Sequence, residues 1–300
     1  MQLSVIILSF NTRQLLADCL QSLFRETKKT KFEVIVVDNN SQDGSPKMVK
    51  EKFPQVNLIT LGKNYGFGKA NNLGAEKAKV DWLLFLNSDT QILKGAIDKI
   101  FSYVRDMGSK AEEAVFGCQL LNADGSIQPS AGFFPTLSRV AMQMFFLDDL
   151  PILKNLVRPY QQNHLPFYRQ EQAVDWVTGA FLLLKRDFFN KVKGFDEQIF
   201  MYAEEIDLCY RLKQMGADVK YTPIAQITHL KGGSSKDGFT AAVLGEYKGL
   251  ISFFKKHRPL WQLPILKLLL GVGSLLRLGL FGMIDRKKVK AYVKSFQTLN

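Results

Sequence analysis

Three carboxylates fall within four positions of one short apolar stretch, FMYAEEIDLCYR, at residues 200–211. They are Glu204, Glu205 and Asp207, and their neighbours include Met, Tyr, Ile, Leu and Cys. A carboxylate is costly to bury among apolar side chains unless it is paired or used in chemistry. The stretch therefore raises the question of which acids are structural and which one is reactive.

Helical geometry separates these acids. If residues 204–212 form a helix, Glu204, Asp207 and Arg211 share one side, and Asp207 is placed to pair with Arg211. Glu205 is rotated by about 100° from Glu204, so it is not committed to that side. A free carboxylate beside a cleft is suited to act as a general base, which is the role predicted for Glu205. The alternative is that all three acids stabilise the helix N-terminus through its dipole.

Two other residues have the chemistry of metal ligands. Asp89 follows a very apolar run in DWLLFLNSDT, and His229 precedes two glycines in ITHLKGGSS. An Asp held rigidly at a strand end can bind a divalent cation that also contacts phosphate oxygens. The alternatives are a helix N-cap or turn for Asp89 and a structural hydrogen bond for His229. The two residues alone leave this choice open.

Strand and helix patterns alternate through the first hundred residues, and these elements must position the reactive side chains. Predicted strands cover residues 3–9, 32–38, 56–61 and 81–87, and predicted helices cover residues 12–27, 45–53 and 67–79. The strands are apolar on both faces, which is typical of a parallel sheet covered by helices. The pattern predicts an α/β fold with a mostly parallel central sheet flanked by helices.

The carboxyl ends of these strands are polar. They read SFN (9–11), DNNSQDGS (38–45), GKNYGFGKANN (62–72) and NSDT (87–90). Ligands bind beyond the carboxyl ends of strands in such sheets, so four polar ends at one edge predict a site for a phosphorylated ligand. The segment GFGKANN has Asn71 in place of the third glycine of a dinucleotide fingerprint, which argues against a nicotinamide cofactor.

Positive charge is concentrated at the C-terminal end of the chain. Residues 248–300 contain eleven Lys and Arg and one acid, against a net charge of +12 for the whole chain. The apolar segment 260–284 lies among them, and Lys267 and Arg277 interrupt it. On a helix these two cations and Ser274 fall near one stripe. This predicts an amphipathic helix, or a hinged helical pair, in an anionic membrane interface; packing on protein is the alternative.

Several function classes are disfavoured. Three cysteines, odd in number and far apart, indicate reduced thiols in a cytosolic protein. The N-terminus MQLSVIILSFN lacks a basic start and a cleavage site, so it is predicted to be a strand and not a signal peptide. Nucleic acid is not an expected partner, because the basic residues bracket an apolar helix and lack interleaved aromatics. The apolar segment 142–168, broken by prolines, is predicted to be either a loop over the ligand or a second membrane contact.

Seven motifs occur in a fixed order along the chain. They are SVIILSFN, VVDNNSQDGS, NYGFGKANN, LFLNSDT, DWVTGAFLLLKR, GFDEQIFMYAEEIDLCYRL and THLKGGSS. Together they resemble the family 2 glycosyltransferases of the GT-A fold, and within these the bacterial rhamnosyltransferases that extend polyprenyl-diphosphate-linked glycans. The resemblance covers about residues 3–235. It implies a catalytic GT-A domain over residues 1–240, followed by a basic amphipathic helical tail over residues 241–300.

The resemblance implies an inverting transfer of a sugar from a nucleotide diphosphate donor to a hydroxyl of a lipid-linked saccharide. The donor would be a dTDP- or UDP-sugar, with dTDP-rhamnose as the family-level expectation. The protein would then work as a peripheral protein on the anionic cytoplasmic face of the inner or plasma membrane. The implied nucleotide-sugar site is formed by Ser9, Asn11, Asp38, Asn64, Gly66, Asn72, Asn87 and Asp89, with Asp38 bonding the pyrimidine base.

The resemblance also implies metal and acceptor residues. The sequence NSD (87–89) takes the place of the DxD motif, so Asp89 and His229 would bind Mg²⁺ or Mn²⁺. Asn87 replaces the first acid of that motif and is not expected to coordinate the metal. Trp176, Gly179 and Glu204 would border the acceptor, with the Trp176 ring offering a flat apolar surface to a sugar.

The stretch AEEID fills the place of the family's Glu-Asp pair, whose second acid is the catalytic base. That position is Glu205, with Glu204 as the second choice, which agrees with the helix geometry. The alternative function is a catalytically degenerate GT-A protein that binds nucleotide or glycan without turnover. A nucleotidyltransferase is a third class, but SVIILSFNTRQ lacks the Gly-rich, basic motif such an enzyme needs.

Overall fold

The computed structural model describes residues 2–150, 158–230, 238–281 and 285–299. Within these residues the strands are β1 (Leu3–Ser9), β2 (Phe32–Asp38), β3 (Asn57–Thr60), β4 (Trp82–Asn87), β5 (Thr90–Ile92), β6 (Ala114–Leu121), β7 (Ile127–Gln128), β8 (Ala131–Gly132), β9 (Gln172–Ala173), β10 (Trp176–Val177), β11 (Phe181–Lys185) and β12 (Asp218–His229). The helices are α1 (Arg13–Glu26), α2 (Ser45–Lys52), α3 (Phe67–Glu76), α4 (Ala96–Asp106), α5 (Leu137–Met144), α6 (Arg186–Lys191), α7 (Glu204–Gln214), α8 (Gly238–His257), α9 (Gln262–Phe281) and α10 (Arg286–Ser295).

A single ten-stranded sheet forms the centre of the molecule. Its main path is β3-β2-β1-β4-β11-β6-β12-β5, with β7 beside β6 and β9 beside β12. The strands β1 to β4 are parallel to one another, as are β6 and β12, whereas β11 is antiparallel to both of its neighbours. The mostly parallel α/β sheet that the sequence predicted is therefore confirmed, and so are the seven elements predicted before residue 88, to within a few residues.

Alternating side chains of the central strands fill two separate cores, one on each face of the sheet. In β1, Val5 and Ile7 join one core and Ile6 joins the other, because successive residues of a strand point to opposite faces. Helix α1 covers one face with Leu16 and Leu20. Each such side chain contributes about 1.5–3 kcal/mol when fully buried, so the sheet is a rigid support for the loops at its edge.

Helix α8 packs into the same core as helix α7. Its residues Tyr247, Leu250, Phe253 and Phe254 are buried in the same cluster as Ile206 of α7. The packing therefore shows no break at residue 240, where the sequence predicted the boundary between the catalytic domain and the tail.

Helix α9 is the one helix among the described residues that is long and apolar enough to cross a membrane. In this helix Ser274 and Arg277 are buried against protein, while Leu268 and Leu275 are exposed. The polar stripe thus faces inward, where it meets hydrogen-bonding partners, and the apolar face is left open.

Both ends of the segment 142–168 belong to helical elements. It starts in the last turn of α5 and ends in a 3-10 turn at Leu165–Arg169, while residues 151–157 lie outside the described residues. Tyr168 at its end is buried, and its hydroxyl donates to the Gln162 carbonyl at 2.7 Å and accepts from the Ser130 N–H at 3.0 Å. This end of the segment is therefore held in the core.

Candidate active site

Three parallel strands bring their polar ends to one edge of the sheet. Ser9 ends β1 in register with Asp38 of β2, and Asn87 ends β4 on the other side of β1. The Ser9 and Thr12 hydroxyls lie 3.1 Å apart, and the Thr12 and Ser88 hydroxyls lie 3.0 Å apart. This chain of hydroxyls makes the edge one continuous polar surface.

The loop after β2 is fastened so that Asp38 faces the edge. The Asn11 N–H donates to Ser41 Oγ at 2.9 Å, and Asn11 Oδ1 accepts from the Gln42 N–H at 2.8 Å. Asp38 is buried, and its Oδ2 accepts the Ser41 N–H at 2.9 Å. Its Oδ1 has no hydrogen-bond partner among the described residues. A buried oxygen without a donor is costly, so this atom is suited to accept an N–H from a ligand.

Asn64 and Gly66 shape the loop between β3 and α3. Asn64 Oδ1 accepts from Asn39 Nδ2 at 2.8 Å and from the Gly66 N–H at 2.9 Å. Gly66 has φ +81°, and a Cβ there would collide with the Phe200 carbonyl. Glycine is required because the Phe200 carbonyl approaches closely to accept from the Phe67 N–H at 2.7 Å. This loop and the segment leading to α7 are therefore joined at the edge.

Asn72 makes a second connection to the segment before α7. Its Nδ2 donates to the Phe195 carbonyl at 2.9 Å, and its Oδ1 accepts from the Phe195 N–H at 2.9 Å. The side-chain amide of Asn72 is thus engaged with backbone on both atoms, and it positions the acid-bearing segment.

Asp89 and His229 meet at the same edge. Asp89 Oδ1 lies 3.2 Å from His229 Nε2, and His229 Nδ1 lies 2.6 Å from Gln128 Oε1. The Gln128 amide nitrogen donates to Asn122 Oδ1 and to the His229 carbonyl, which makes Oε1 an acceptor and places the ring proton on Nδ1. The lone pair of Nε2 then points at a carboxylate oxygen of Asp89. Gln128 fixes the ring orientation through the other ring nitrogen, as outer hydrogen-bond partners do in metal sites.

The two acceptor atoms, Asp89 Oδ1 and His229 Nε2, are suited to hold a cation between them. Asn87 lies beside them, with its Nδ2 3.4 Å from His229 Nε2. No group of three or more His, Cys, Asp or Glu side chains placed to hold a metal ion occurs in the parts of the chain that the structure describes. A metal here would take two protein ligands of these types and complete its shell from the ligand or water.

The acid-bearing helix α7 begins after two residues with unusual backbone angles. Tyr202 and Ala203 have φ values of +69° and +70°, which residues with side chains seldom adopt. Such backbone persists where the surroundings enforce it. Helix α8 packs against this turn through Gly249, where a Cβ would lie 2.6 Å from the Ala203 Cβ.

Asp207 is structural, as the helix geometry predicted. Its Oδ2 lies 2.7 Å from Arg211, and its Oδ1 lies 2.7 Å from His257 Nε2 of α8. Arg211 also donates to the Val192 and Gly194 carbonyls. This network, centred on the fully buried Asp207, joins α7, α8 and the segment between α6 and α7, and the predicted Asp207–Arg211 pair is confirmed.

Glu204 is buried, and the adjacent Glu205 is half-buried. Burial, with the neighbouring Glu205 charge, holds the pKa of Glu204 well above its usual range. Burial also raises the pKa of Glu205, but N–H groups of Glu205 itself, Gly179 and Ala203 act in the opposite direction. Two adjacent buried carboxyls share one proton more readily than they carry two charges. Glu204 is therefore the acid that retains its proton more readily, and Glu205 is the better general base.

Both acids have an oxygen available for chemistry. Oε2 of Glu204 and Oε2 of Glu205 have no hydrogen-bond partner within the described part of the chain. The Gly179 N–H favours the charged form of Glu205 and so acts to lower its pKa, and the carbonyl of the next residue, Ala180, accepts the Asn87 N–H at 3.2 Å. Two adjacent residues therefore connect the acid pair to the Asp89–His229 pair.

Comparison with known proteins identifies the chain. The family model "Glycosyl transferase family 2" matches residues 4–111. The chain is 31% identical over 276 residues to N-acetylglucosaminyl-diphospho-decaprenol L-rhamnosyltransferase of Mycobacterium tuberculosis, covering 88% of this chain and 87% of that protein. The chain belongs to glycosyltransferase family 2. It is also 27% identical over 263 residues to rhamnosyltransferase WbbL of Escherichia coli K12, covering 85% of this chain and 93% of that protein.

Solved glycosyltransferase structures share the fold. GalNAc-T7 with UDP, GalNAc and Mn²⁺ superposes with a TM-score of 0.61 at 16% identity, over all of this chain and 56% of that one. Staphylococcus aureus TarS 1–349 in complex with UDP gives a TM-score of 0.53 at 17% identity, over 99% of this chain and 91% of that one. The GT-A fold predicted from the motifs is therefore confirmed.

One site expectation for this glycosyltransferase needs correction. Trp176 is buried, and its Nε1 donates to the Tyr160 carbonyl at 3.1 Å. Its ring is therefore a packing element that does not present an open face to a sugar. Gly179 does lie beside the acids, and its missing Cβ leaves room for the Phe67 ring, which a Cβ would approach to 3.0 Å.

Sequence reasoning missed several residues that hold the family 2 site together. Gln128 fixes the His229 ring, and Gly249 supports the turn before Glu204. Both are distant in sequence from every motif, so their roles depend on tertiary packing that spacing does not reveal. Asn39 lay inside the motif DNNSQDGS, and its position one residue after Asp38 was the available signal.

Proposed function

We propose that this chain transfers a sugar, L-rhamnose as the first expectation, from a dTDP- or UDP-sugar to a hydroxyl of a polyprenyl-diphosphate-linked saccharide with inversion. The names of both rhamnosyltransferases support rhamnose as the sugar, and the name of the Mycobacterium tuberculosis protein supports a polyprenyl-diphosphate-linked acceptor. The observation that carries the proposal is the Asp89–His229 pair at the polar strand ends. Asn87 lies beside this pair and donates its backbone N–H to the Ala180 carbonyl, one residue after Gly179, whose N–H favours the charged form of Glu205.

In this proposal Glu205 is the catalytic base. The acceptor hydroxyl must lose a proton as it attacks the anomeric carbon, and Glu205 Oε2 is the oxygen free to receive it. General-base catalysis of this kind typically contributes about 10²–10⁴-fold. A protonated Glu204 beside it would donate a hydrogen bond to the acceptor and keep the pair at one negative charge.

The strand ends form the donor pocket of the proposal. Asp38 Oδ1 accepts the N–H of a pyrimidine base, since it is a buried acceptor without a partner among the described residues. Ser9, Asn11, Asn64, Gly66 and Asn87 line or shape the same edge. Asn72 contributes by holding the segment that carries the acids.

A divalent cation, Mg²⁺ or Mn²⁺, fits the Asp89–His229 pair. The fit rests on two acceptor atoms 3.2 Å apart, one of them a ring nitrogen whose partner nitrogen is held by Gln128. When bound there, such a cation would stabilise negative charge on the departing diphosphate. Asn87 stands beside it without supplying a charged ligand.

A lipid-linked acceptor places the enzyme at a membrane. We assign it to the cytoplasmic face of the inner or plasma membrane as a peripheral protein, with anionic lipid as a partner. Eleven Lys and Arg against one acid in residues 248–300 support this assignment.

A donor panel tests the proposal. The full chain would be incubated with dTDP-, UDP- and GDP-sugars, Mn²⁺ or Mg²⁺, and a short-chain polyprenyl-diphosphate N-acetylglucosamine, with and without EDTA. We expect metal-dependent release of one nucleotide diphosphate that requires the acceptor. Tight binding of a donor without release under any condition would instead favour the degenerate, non-catalytic alternative.

A further inference from the structure

Helix α9 and the turn before it expose a row of large apolar side chains. Its members project from one side of the helix or from the turn before it. They are Leu260, Trp261, Ile265, Leu268, Leu275, Leu276 and Leu280, and we call this set the leucine face. Leu260 is 70% exposed, Leu268 65% and Trp261 63%. From Ile265 to Leu280 the face extends for about 22 Å along the helix.

Exposed apolar side chains in such a contiguous row mark an interaction surface. Within α9 the residues of the leucine face span roughly 140° of the helix circumference at 100° per residue. The other side of the helix carries Ser274 and Arg277, which are buried. The helix therefore presents one wholly apolar side to the outside.

Basic residues precede and follow this face in the sequence. Lys255 is exposed at the end of α8, a few residues before Leu260, and Lys290 is exposed on α10. Near the other end of α9, Lys288 Nζ lies 4.5 Å from the centre of the Phe281 ring. An apolar strip with a cationic rim matches a bilayer whose headgroups are anionic. A second copy of the chain would instead bring two such rims together in a symmetric contact.

Contacts on the buried side of α9 indicate whether the helix crosses a bilayer or lies along its surface. Arg277 donates to the Met144 carbonyl at 2.7 Å and to the Gln143 carbonyl at 2.8 Å, and Tyr247 and Ser274 oxygens lie 2.9 Å apart. A helix that crossed the bilayer would lose these partners and carry Arg277 into hydrocarbon, which is costly. The leucine face is therefore suited to lie in the plane of the interface.

The same contacts connect α9 to the acid pair. Gln143, whose carbonyl binds Arg277, donates its side-chain amide to Glu246 Oε1 at 3.1 Å. Burial raises the pKa of the Tyr160 hydroxyl, and the charges of Glu246, Glu205 and Glu204 raise it further, so these three carboxyls all act on one side chain.

We propose that the leucine face docks in the plane of an anionic bilayer and so holds the acid pair next to a membrane-borne acceptor. This proposal rests on the lipid-linked acceptor assigned above, and it names the surface that meets the membrane. Trp261, at the start of α9, would sit at headgroup level, where aromatic rings are favoured.

Liposome flotation of the full chain tests the surface. The variant Leu268→Glu/Leu275→Glu would be compared with a control, Met215→Glu/Ile224→Glu, which charges two exposed apolar residues outside the leucine face. With phosphatidylcholine vesicles containing phosphatidylglycerol, we expect the first variant to lose about tenfold or more in partitioning, since charges resist insertion, while the control binds like wild type. Equal binding by both variants would overturn the proposal.

Trp261 reports the depth of insertion. We expect its fluorescence to shift to the blue with these vesicles and to be quenched by brominated acyl chains, with Trp261→Phe supplying the background of Trp82 and Trp176. Binding without any change in this signal would overturn insertion. If the wild-type protein did not bind vesicles and formed a dimer that the Leu268→Glu/Leu275→Glu variant lost, the leucine face would be an interface with a second copy of the chain.

Measurements of turnover distinguish a failure of the docking proposal from a failure of the proposed function. With a short-chain, water-soluble acceptor, the Leu268→Glu/Leu275→Glu variant should turn over at the wild-type rate, because neither residue contacts the acids. If it does so but still binds vesicles normally, the docking surface is wrong while the transferase remains. If wild type docks but transfers no sugar, the proposed function fails and the surface stands.

Discussion

At the scale of single residues, the structure distinguishes two acids that the sequence places side by side. Glu204 is buried and Glu205 is half-buried, and desolvation raises the pKa of both. Backbone N–H groups favour the charged form of Glu205, whereas the neighbouring charge raises the pKa of Glu204 further. Different environments of this kind allow paired carboxyls to take different roles.

Substitution of each acid tests this division. We expect Glu205→Gln to lower kcat by about 10²–10⁴-fold with donor binding unchanged, because it removes the proton acceptor alone. Glu204→Gln should keep kcat within about tenfold, since the amide replaces a carboxyl that is already uncharged. Steady-state kinetics and donor titration measure both, with the exposed Glu51→Gln as control. A large loss in the Glu204 variant with an active Glu205 variant would reverse the roles.

The raised pKa of Glu204 also predicts a pH effect on stability. Below about pH 4.3, the usual value for glutamate, folded and unfolded states are both protonated at this position. As the pH rises, the unfolded chain releases the proton while the folded chain retains it, so stability is lost up to the raised pKa.

Glu204→Gln removes this dependence. We expect its Tm to exceed that of wild type by a margin that grows between pH 5 and pH 8, as measured by calorimetry. A margin that stays constant or shrinks across this range would contradict a raised Glu204 pKa.

At the scale of elements, the sequence predicted the α/β half of the molecule well. Strand β1 and helix α1 follow from local apolar periodicity, and this periodicity also places Ser9 and Asp38 at one edge. The orientation of α9 could not be predicted this way. The sequence pattern of Ser274 and Arg277 is the same whether these side chains face water or the carbonyls of α5. Only tertiary packing determines which of the two orientations the helix adopts.

Helix α8 supports the turn that presents the acids, which predicts a role for its glycines. Gly249→Ala would place a Cβ 2.6 Å from the Ala203 Cβ and push the start of α7 away. We expect kcat to fall by about tenfold or more with little change in donor affinity, because a displacement of about 1 Å at a catalytic group has a large kinetic effect.

Gly279→Ala on α9 is the matched control, since a Cβ there meets nothing within 4 Å. It should leave kcat unchanged, or raise stability slightly because alanine favours helix. If both variants kept wild-type kcat, the contact between α8 and the Tyr202–Ala203 turn would have no part in positioning the acids.

At the scale of the whole molecule, the core that contains α7 continues into α8, past residue 240. Composition changes near residue 240, but Leu250, Phe253 and Phe254 complete the core around Ile206. A segment that packs into a protein core and a segment that binds a membrane have similar apolar compositions. Composition alone therefore does not show where the core ends along the chain.

A chain that ends at residue 240 should therefore not fold. Loss of Leu250, Phe253 and Phe254 removes about 1.5–3 kcal/mol each, which is comparable in sum with the 5–15 kcal/mol stability of a typical domain. Circular dichroism during thermal unfolding should show no cooperative transition, whereas the full chain shows one. A cooperatively folded chain of residues 1–240 would contradict the role of α8 in the core.

The central claim is that the sheet edge and the acid pair together transfer a sugar with inversion. The most direct measurement is nuclear magnetic resonance of the product formed from dTDP-L-rhamnose and a short-chain polyprenyl-diphosphate N-acetylglucosamine. The account predicts one added rhamnose whose anomeric configuration is opposite to that of the donor, and no product with Glu205→Gln. A product that retains the donor configuration, or equal product from the variant, would contradict it.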